Sequence, residues 1–87
     1  MRSFRTQQFH QQFESLPASV QDSARRAFRL WKTNPQHPGL SFKLIESQEK
    51  IYSVRIGLHY RALATLVDRE TMVWFWIGSH ADYDKLL

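Results

Sequence analysis

The spacing of hydrophobic residues changes near Gly39, and this change limits the folds that the chain can adopt. Before it, Phe9, Phe13 and Leu16 recur at the spacing of one helix face. After it, short runs rich in β-branched and aromatic residues indicate strands separated by hairpin-length connections. Helices followed by consecutive strands are typical of an α+β domain. With 87 residues, we expect a single domain over residues 1–87.

Prolines mark both ends of a second helix. Pro17 suits a first helical position, because the N–H that proline lacks has no helical partner there. Pro35 pushes Asn34 out of the α region, so the helix should end at that point. We therefore expect a helical hairpin. The apolar stripe of the second helix is Val20, Ala24, Ala27, Phe28 and Trp31, and its basic outer face is Arg25, Arg26, Arg29 and Lys32.

The rest of the chain predicts a sheet, with strands at 41–46, 51–56, 60–67 and 72–78. Residues around Phe4 predict a short edge strand, and segment 81–87 predicts a short C-terminal helix. The complete prediction is an N-terminal helical hairpin packed on one face of a four- to five-stranded, mainly antiparallel sheet.

The hairpin loops predict which residues face one another. A turn centred on Leu58 places Arg55 opposite Arg61, and a four-residue loop over 68–71 places Arg61 opposite Gly78. Alternation then assigns side chains to two faces. The face beneath the helices should hold Val54, Ile56, Tyr60, Ala62, Ala64, Leu66, Val73, Phe75 and Ile77. The other should hold Ser53, Arg55, Arg61, Leu63, Thr65, Val67, Met72, Trp74 and Trp76.

The second face is unusually aromatic for a surface in contact with water. Trp74 and Trp76 are predicted to lie there, where both could stack on the bases of single-stranded RNA. The alternative is that these rings pack beneath a partner protein or beneath the C-terminal tail.

Cationic and titratable side chains are predicted to meet at one end of this face. Arg55 and Arg61 would repel each other by roughly 0.2–1 kcal/mol, and an anion bound between them would remove that repulsion. His80 follows the last strand, and Tyr83 lies one helical turn further. Histidine suits proton transfer near neutral pH, so the group could bind and cleave a phosphodiester. Alternatively, both arginines point into water or pair with Asp82 or Asp84.

The charge balance favours an anionic partner. Twelve Lys and Arg against eight Asp and Glu give a net charge of +4, and guanidinium groups match the geometry of phosphates. The alternative is that the positive charge only aids solubility.

The composition predicts neither a metal site nor a cofactor. The chain has no cysteine, and His10, His37 and His59 lack the spacing of metal ligands. No window approaches the roughly 20 apolar residues of a membrane span, and the first residues lack the apolar run of a signal peptide. We therefore expect a cytoplasmic protein.

Several segments occur in a characteristic order: FESLP, a basic helix ending in NP, FKLI, YSVRIGLHYRAL and WIGSHADYDKLL. Their order and spacing resemble the RelE/ParE toxin family of bacterial toxin–antitoxin systems, over residues 9–87. The resemblance implies a small α+β toxin neutralised by a cognate antitoxin protein. It also implies that Arg61 contacts the scissile phosphate, and that His80 and Tyr83 lie near the catalytic positions at the C-terminal end.

Family members differ in activity, so two functions remain open. RelE-like members cut mRNA on the ribosome without a metal. If this chain does the same, Arg55 and Lys43 would contact mRNA, and the basic helix would contact rRNA. ParE-like members instead inhibit DNA gyrase and lack the nuclease residues. Where RelE-like members place two lysines, this chain has Tyr52 and Val54. No carboxylate matches the base of YoeB-type members, although Glu46 and Glu49 lie nearby.

Overall fold

The computed structural model describes residues 1–86 and contains five strands and three α-helices within them. A single 3-10 turn, Pro38–Leu40, follows the second helix. The predicted α+β class and short C-terminal helix are confirmed; Leu87, the last residue of the predicted helix, lies outside the described residues. In chain order the elements are β1 (Arg2–Arg5), α1 (Gln7–Glu14), α2 (Ala18–Thr33), β2 (Lys43–Glu46), β3 (Ile51–Ile56), β4 (Tyr60–Asp68), β5 (Thr71–Ser79) and α3 (His80–Leu86).

The five strands form one sheet in the order β1-β5-β4-β3-β2. Strands β2 to β5 pair antiparallel with their sequence neighbours. The predicted edge strand around Phe4 is present as β1 and runs parallel to β5, with Phe4 opposite Val73. The sheet is therefore mainly antiparallel, as predicted.

Side-chain caps define the helical hairpin. The Thr6 hydroxyl accepts a hydrogen bond from the Phe9 N–H at 3.1 Å and begins α1. The Gln21 amide on α2 donates to the Phe13 and Leu16 carbonyls at 3.1 and 3.2 Å, which caps the end of α1 and ties the helices together. Within residues 1–86, no helix combines the length and apolar character needed to cross a bilayer.

The main core lies between the helices and one face of the sheet. Helix α1 packs against β5, and α2 packs against β3. Trp31 of α2 and Trp74 of β5 meet edge to face, with ring centroids 5.2 Å apart. The fully buried residues that the central strand β4 contributes to this core are small, Ala62 and Ala64, while Tyr60 and Leu66 pack against it partly buried.

The predicted position of Trp74 is wrong, because β5 contains a β-bulge. The predicted register holds from Tyr60 to Leu63, which lies opposite Trp76, but Ala64 then lies opposite Trp74. Phe75 is the extra residue, so the alternation reverses. Trp74 and Met72 therefore enter the main core, and Phe75 packs instead with Leu63, Trp76 and Tyr83.

Burial explains why the bulge is stable. Trp74 is only 2% exposed, and burying a large apolar side chain stabilises a fold by about 1.5–3 kcal/mol. A disrupted ladder hydrogen bond costs about 0.5–1.5 kcal/mol. Burial of the indole ring therefore outweighs the lost pairing.

The turn between β4 and β5 is tighter than predicted. Asp68 pairs with Thr71, so the loop has two residues rather than four. The Glu70 N–H donates to Asp68 Oδ1 at 2.8 Å, and this hydrogen bond, more than that from the Thr71 hydroxyl, lowers the pKa of Asp68. The ionised carboxylate thus stabilises the turn above the pKa of an unfolded Asp, and this contribution is lost as the pH falls through the lowered folded-state pKa.

Gly57 should be the most sensitive position of the β3–β4 turn. Its φ of 59° is left-handed, although no atom lies within 4 Å of the place that a Cβ would occupy. We expect Gly57→Ala to lower the free energy of unfolding by about 1 kcal/mol through backbone strain alone. Lys50→Gly is the matched control, because Lys50 also has a positive φ, of 53°. Urea denaturation should show changes of opposite sign, and equal signs would contradict this explanation.

Candidate functional site

Arg55 and Arg61 lie on the sheet face that the helical hairpin leaves uncovered. They are direct partners across β3 and β4, and Arg61 is also opposite Gly78, as predicted. Their neighbours Val54 and Ala62 point into the main core. Both guanidinium groups therefore start from the same face and the same row of the sheet.

Tyr83 occupies the centre of this site. The Arg61 guanidinium carbon lies 5.3 Å from the Tyr83 ring centroid, which is a cation–π distance. The ring centroids of His80 and Trp76 lie 5.9 and 6.4 Å from that of Tyr83. The structure therefore brings Arg61, His80 and Tyr83 together, because α3 folds back over the sheet directly after β5.

The two arginines differ in what they bind. The Arg55 Nε–H donates to the Gly57 carbonyl at 3.0 Å, so this side chain supports its own turn. Arg61 is half-buried, and its Nη1 is enclosed without a hydrogen-bond partner among the described residues. A buried guanidinium N–H without an acceptor is costly. Because Nη1 is enclosed, an anion could reach it only after the Arg61 side chain moves.

Nearby carboxylates do not neutralise the arginines. Asp84 Oδ1 lies 3.7 Å from His80 Nδ1, and Asp82 Oδ1 lies 3.9 Å from Lys85 Nζ. The predicted alternative, in which these carboxylates pair with Arg55 or Arg61, is therefore not observed. The acidic side chains instead form pairs within α3.

His80 is held at the first position of α3 and remains half exposed. Its backbone N–H donates to the His59 carbonyl at 2.6 Å, which fastens the start of α3 to the β3–β4 turn. Its ring can attract the Asp84 carboxylate when protonated. The prediction considered Asp84 only as a partner of the arginines, although its i+4 spacing from His80 on a helix could have indicated this pair.

Trp76 anchors α3 to the sheet. It is 8% exposed and packs with Leu63 and Tyr83, which confirms the alternative that this ring lies beneath the C-terminal tail. A base can stack on Trp76 only if α3 moves. Gly78 makes room for the ring, since a Cβ there would lie 2.8 Å from Trp76 Cζ2.

A second row of residues extends the site across the sheet. Ser53 lies opposite both Lys43 and Leu63, two residues before Arg55 on the same face. Its hydroxyl is fully buried without a hydrogen-bond partner in residues 1–86. Lys43 is exposed. The prediction placed Ser53 on this face but gave it no role, because a lone serine in a strand carries no functional signal.

Tyr52 and Val54 stand where RelE-like members have lysines, and both lie on the opposite face of the sheet from Arg55 and Arg61. Val54 is buried in the main core, and Tyr52 stacks on Phe42 with ring centroids 4.9 Å apart. Glu46 accepts hydrogen bonds from the Gln48 and Glu49 N–H groups at 3.0 and 2.6 Å, so it caps a turn. These residues therefore have structural roles.

The basic residues of α2 are exposed, but they do not join the site. Helix α2 covers the opposite face of the sheet. Arg25 pairs with Asp22 at 3.1 Å and lies 5.2 Å from the Phe13 ring centroid, and Lys32 lies 5.4 Å from the Phe28 ring centroid. The protein thus presents cations on two opposite faces.

Solved structures of toxins share this fold. The chain aligns with the RelB-RelE antitoxin-toxin complex from Methanococcus jannaschii at a TM-score of 0.75 and 12% identity, covering 97% of this chain and 98% of that one. YafQ from E. coli gives a TM-score of 0.75 at 12% identity, covering 95% and 98%. The isolated E. coli RelE toxin gives 0.69 at 11% identity, covering 98% and 94%. At these identities the similarity establishes the fold alone.

Sequence comparison supplies the family. No curated protein matches the chain. The ParE-like toxin domain family matches residues 18–85, which is most of the sequence and includes α2, strands β2 to β5 and the site residues on α3. The chain therefore belongs to the ParE-like toxin domain family and is a RelE/ParE-type toxin.

Proposed function

We propose that this toxin blocks translation by cutting mRNA on the ribosome without a metal. The observation that carries the proposal is the contact series Arg61–Tyr83–His80, in which an unsatisfied guanidinium N–H and an accessible imidazole flank one ring. RNA can cleave itself when its 2′-hydroxyl attacks the adjacent phosphate and the 5′-oxygen leaves. An enzyme for this reaction needs an anion-stabilising group and a proton-transfer group.

Each site residue has a role in this reaction. Arg61 binds the scissile phosphate and stabilises the negative charge that grows on it during attack. His80 accepts the 2′-hydroxyl proton or donates a proton to the departing 5′-oxygen. Tyr83 positions the Arg61 guanidinium and assists proton transfer. Arg55 and Lys43 attract the flanking phosphates from the same face.

The ribosome is proposed as the place of cleavage because cations occur on both faces of the molecule. An isolated mRNA strand crossing the Tyr83 side would not reach α2. An RNA assembly that surrounds the toxin would contact both surfaces, with rRNA phosphates on Arg25, Arg26, Arg29 and Lys32.

This arrangement predicts a salt-dependent contribution from α2. We expect Arg26→Gln/Arg29→Gln to reduce the slope of log affinity against log salt by roughly 2, about 1 for each lost phosphate contact. The measurement is ribosome binding at several KCl concentrations. The control Lys50→Gln/Arg69→Gln removes the same charge from the β2–β3 and β4–β5 connections, away from α2. It should leave the slope nearly unchanged. Equal slopes for both variants would exclude α2 as an rRNA contact.

An antitoxin is the proposed protein partner. Solved structures with this fold include the RelB-RelE antitoxin-toxin complex from M. jannaschii and the RelE-RelB complex from Pyrococcus horikoshii, the latter at a TM-score of 0.71. A partner that binds only the folded toxin raises its apparent stability by mass action. The toxin should therefore melt at a higher temperature with its cognate antitoxin than alone.

Gyrase inhibition is the second candidate, because the lysines of RelE-like members are absent and the matched family is ParE-like. An exposed Trp74/Trp76 patch would anchor such a protein partner, but Trp74 is in the main core and Trp76 lies under α3.

Mapping of mRNA 5′ ends after brief expression of the toxin separates the two functions. New ends within translated messages, lost in Arg61→Ala and His80→Ala, are expected. Intact messages together with a DNA-damage response would replace the nuclease proposal with gyrase inhibition.

A further inference from the structure

A cavity of about 480 Å³ lies between the helical hairpin and the sheet, open on one side. It exists because α1 packs on β5 and α2 packs on β3, while β4 between them offers only a methyl group at Ala62. Ala24 and Ala27 on α2 are equally small and line the same space. The hairpin therefore spans the sheet without filling the middle.

The cavity has the size and lining of a small-molecule site. Its volume is roughly 16 times the share of one water molecule in the liquid, and it falls within the ~300–1,000 Å³ typical of ligand pockets. Five Phe and Trp residues are among those that line it, beside charged and polar side chains: Phe9, Phe13, Phe28, Trp31 and Trp74. An occupant must therefore have an apolar body.

Hydrogen-bond donors outnumber acceptors around this cavity. Arg5, Arg25 and Arg29 line it together with a single carboxylate, that of Glu14. The three ion pairs among residues 1–86 leave out Arg5 and Arg29. An occupant rich in acceptors, above all an anion, would complement these donors.

We propose that this cavity binds a small amphipathic organic acid, with its apolar body among the aromatic rings and its carboxylate on Arg5 and Arg29. The site is separate from the Arg61–Tyr83–His80 group, because the sheet lies between them. Occupancy would fill the space beneath both helices, and binding to the folded state alone would stabilise it.

Decanoate, used below its micelle concentration, tests the proposal against 1-decanol, which has the same chain without the charge. Isothermal titration of the full chain should show one decanoate per protein, bound at least about tenfold more tightly than decanol. In a Trp76→Phe background, the two remaining indoles both line the cavity, so decanoate should change the tryptophan emission.

Two variants test the location. Ala27→Leu places a good helix former into the cavity and should abolish decanoate binding while circular dichroism stays unchanged. Arg29→Gln is an exposed change that should weaken decanoate roughly tenfold and leave decanol unaffected. Absence of saturable decanoate binding, equal affinities for decanoate and decanol, or unchanged binding to folded Ala27→Leu would each overturn the proposal.

Discussion

Arg61→Ala should lower the rate of mRNA cleavage on programmed ribosomes by about 10²–10³-fold, the usual effect of removing one donor that stabilises a transition-state oxyanion. Arg61 is the half-buried cation of the site, and its Nη1 has no acceptor within the described chain. In such an environment a charged hydrogen bond to phosphate is stronger than at the surface. Single-turnover cleavage, with toxin in excess over programmed ribosomes, reports the chemical step.

Arg55→Ala is the matched control, because Arg55 lies directly opposite on the same face. Its Nε–H already donates to the Gly57 carbonyl, and its side chain is exposed. The loss of cleavage should therefore be clearly smaller than for Arg61→Ala. Equal losses would show that the site responds to net charge rather than to the Arg61 contact, and an unaffected Arg61→Ala variant would rule out its proposed role.

Trp74→Ala should lower the free energy of unfolding by about 3–5 kcal/mol. The indole is 2% exposed and contacts Phe28 and Trp31, with ring centroids at 5.5 and 5.2 Å. A domain of this size has a total stability of only about 5–15 kcal/mol. Urea denaturation followed by far-ultraviolet circular dichroism should show a large fall in the urea concentration at the midpoint of unfolding.

Leu58→Ala provides the comparison for this stability change. Leu58 is 74% exposed at the tip of the β3–β4 turn, so its removal should change stability by no more than about 0.5 kcal/mol. If Trp74→Ala unfolds at the same urea concentration as Leu58→Ala, the bulge at Phe75 is not where the structure places it.

The pairing of Arg55 with Arg61 could be predicted because the loop between their strands is short. A tight hairpin leaves few possible registers, and Gly57 supplies the left-handed residue that the turn requires. The alternation of Val54 and Ile56 with Arg55 then identifies the buried face. Local chain geometry therefore determines one side of the site.

The bulge at Phe75 could not be predicted from the same alternation. Trp74, Phe75 and Trp76 are consecutive aromatic residues, so hydropathy does not show which rings point inward. The choice depends on Trp31 and Phe28, which lie far from Trp74 in sequence and meet it only in the folded core. The contact of the His80 N–H with the His59 carbonyl is equally invisible, because backbone groups carry no residue-specific signal.

The absence of a side chain at Gly78 determines where the Trp76 indole lies, and through it the shape of the site. The Trp76 indole fills the volume that a Cβ would need, and its other contacts include Tyr83. Any larger residue at this position would tilt the indole, and the tilt would pass to the tyrosine that flanks Arg61 and His80. Because Gly78 carries only a hydrogen atom, Trp76 can lie flat enough for α3 to bring Tyr83 close to the Arg61 guanidinium group.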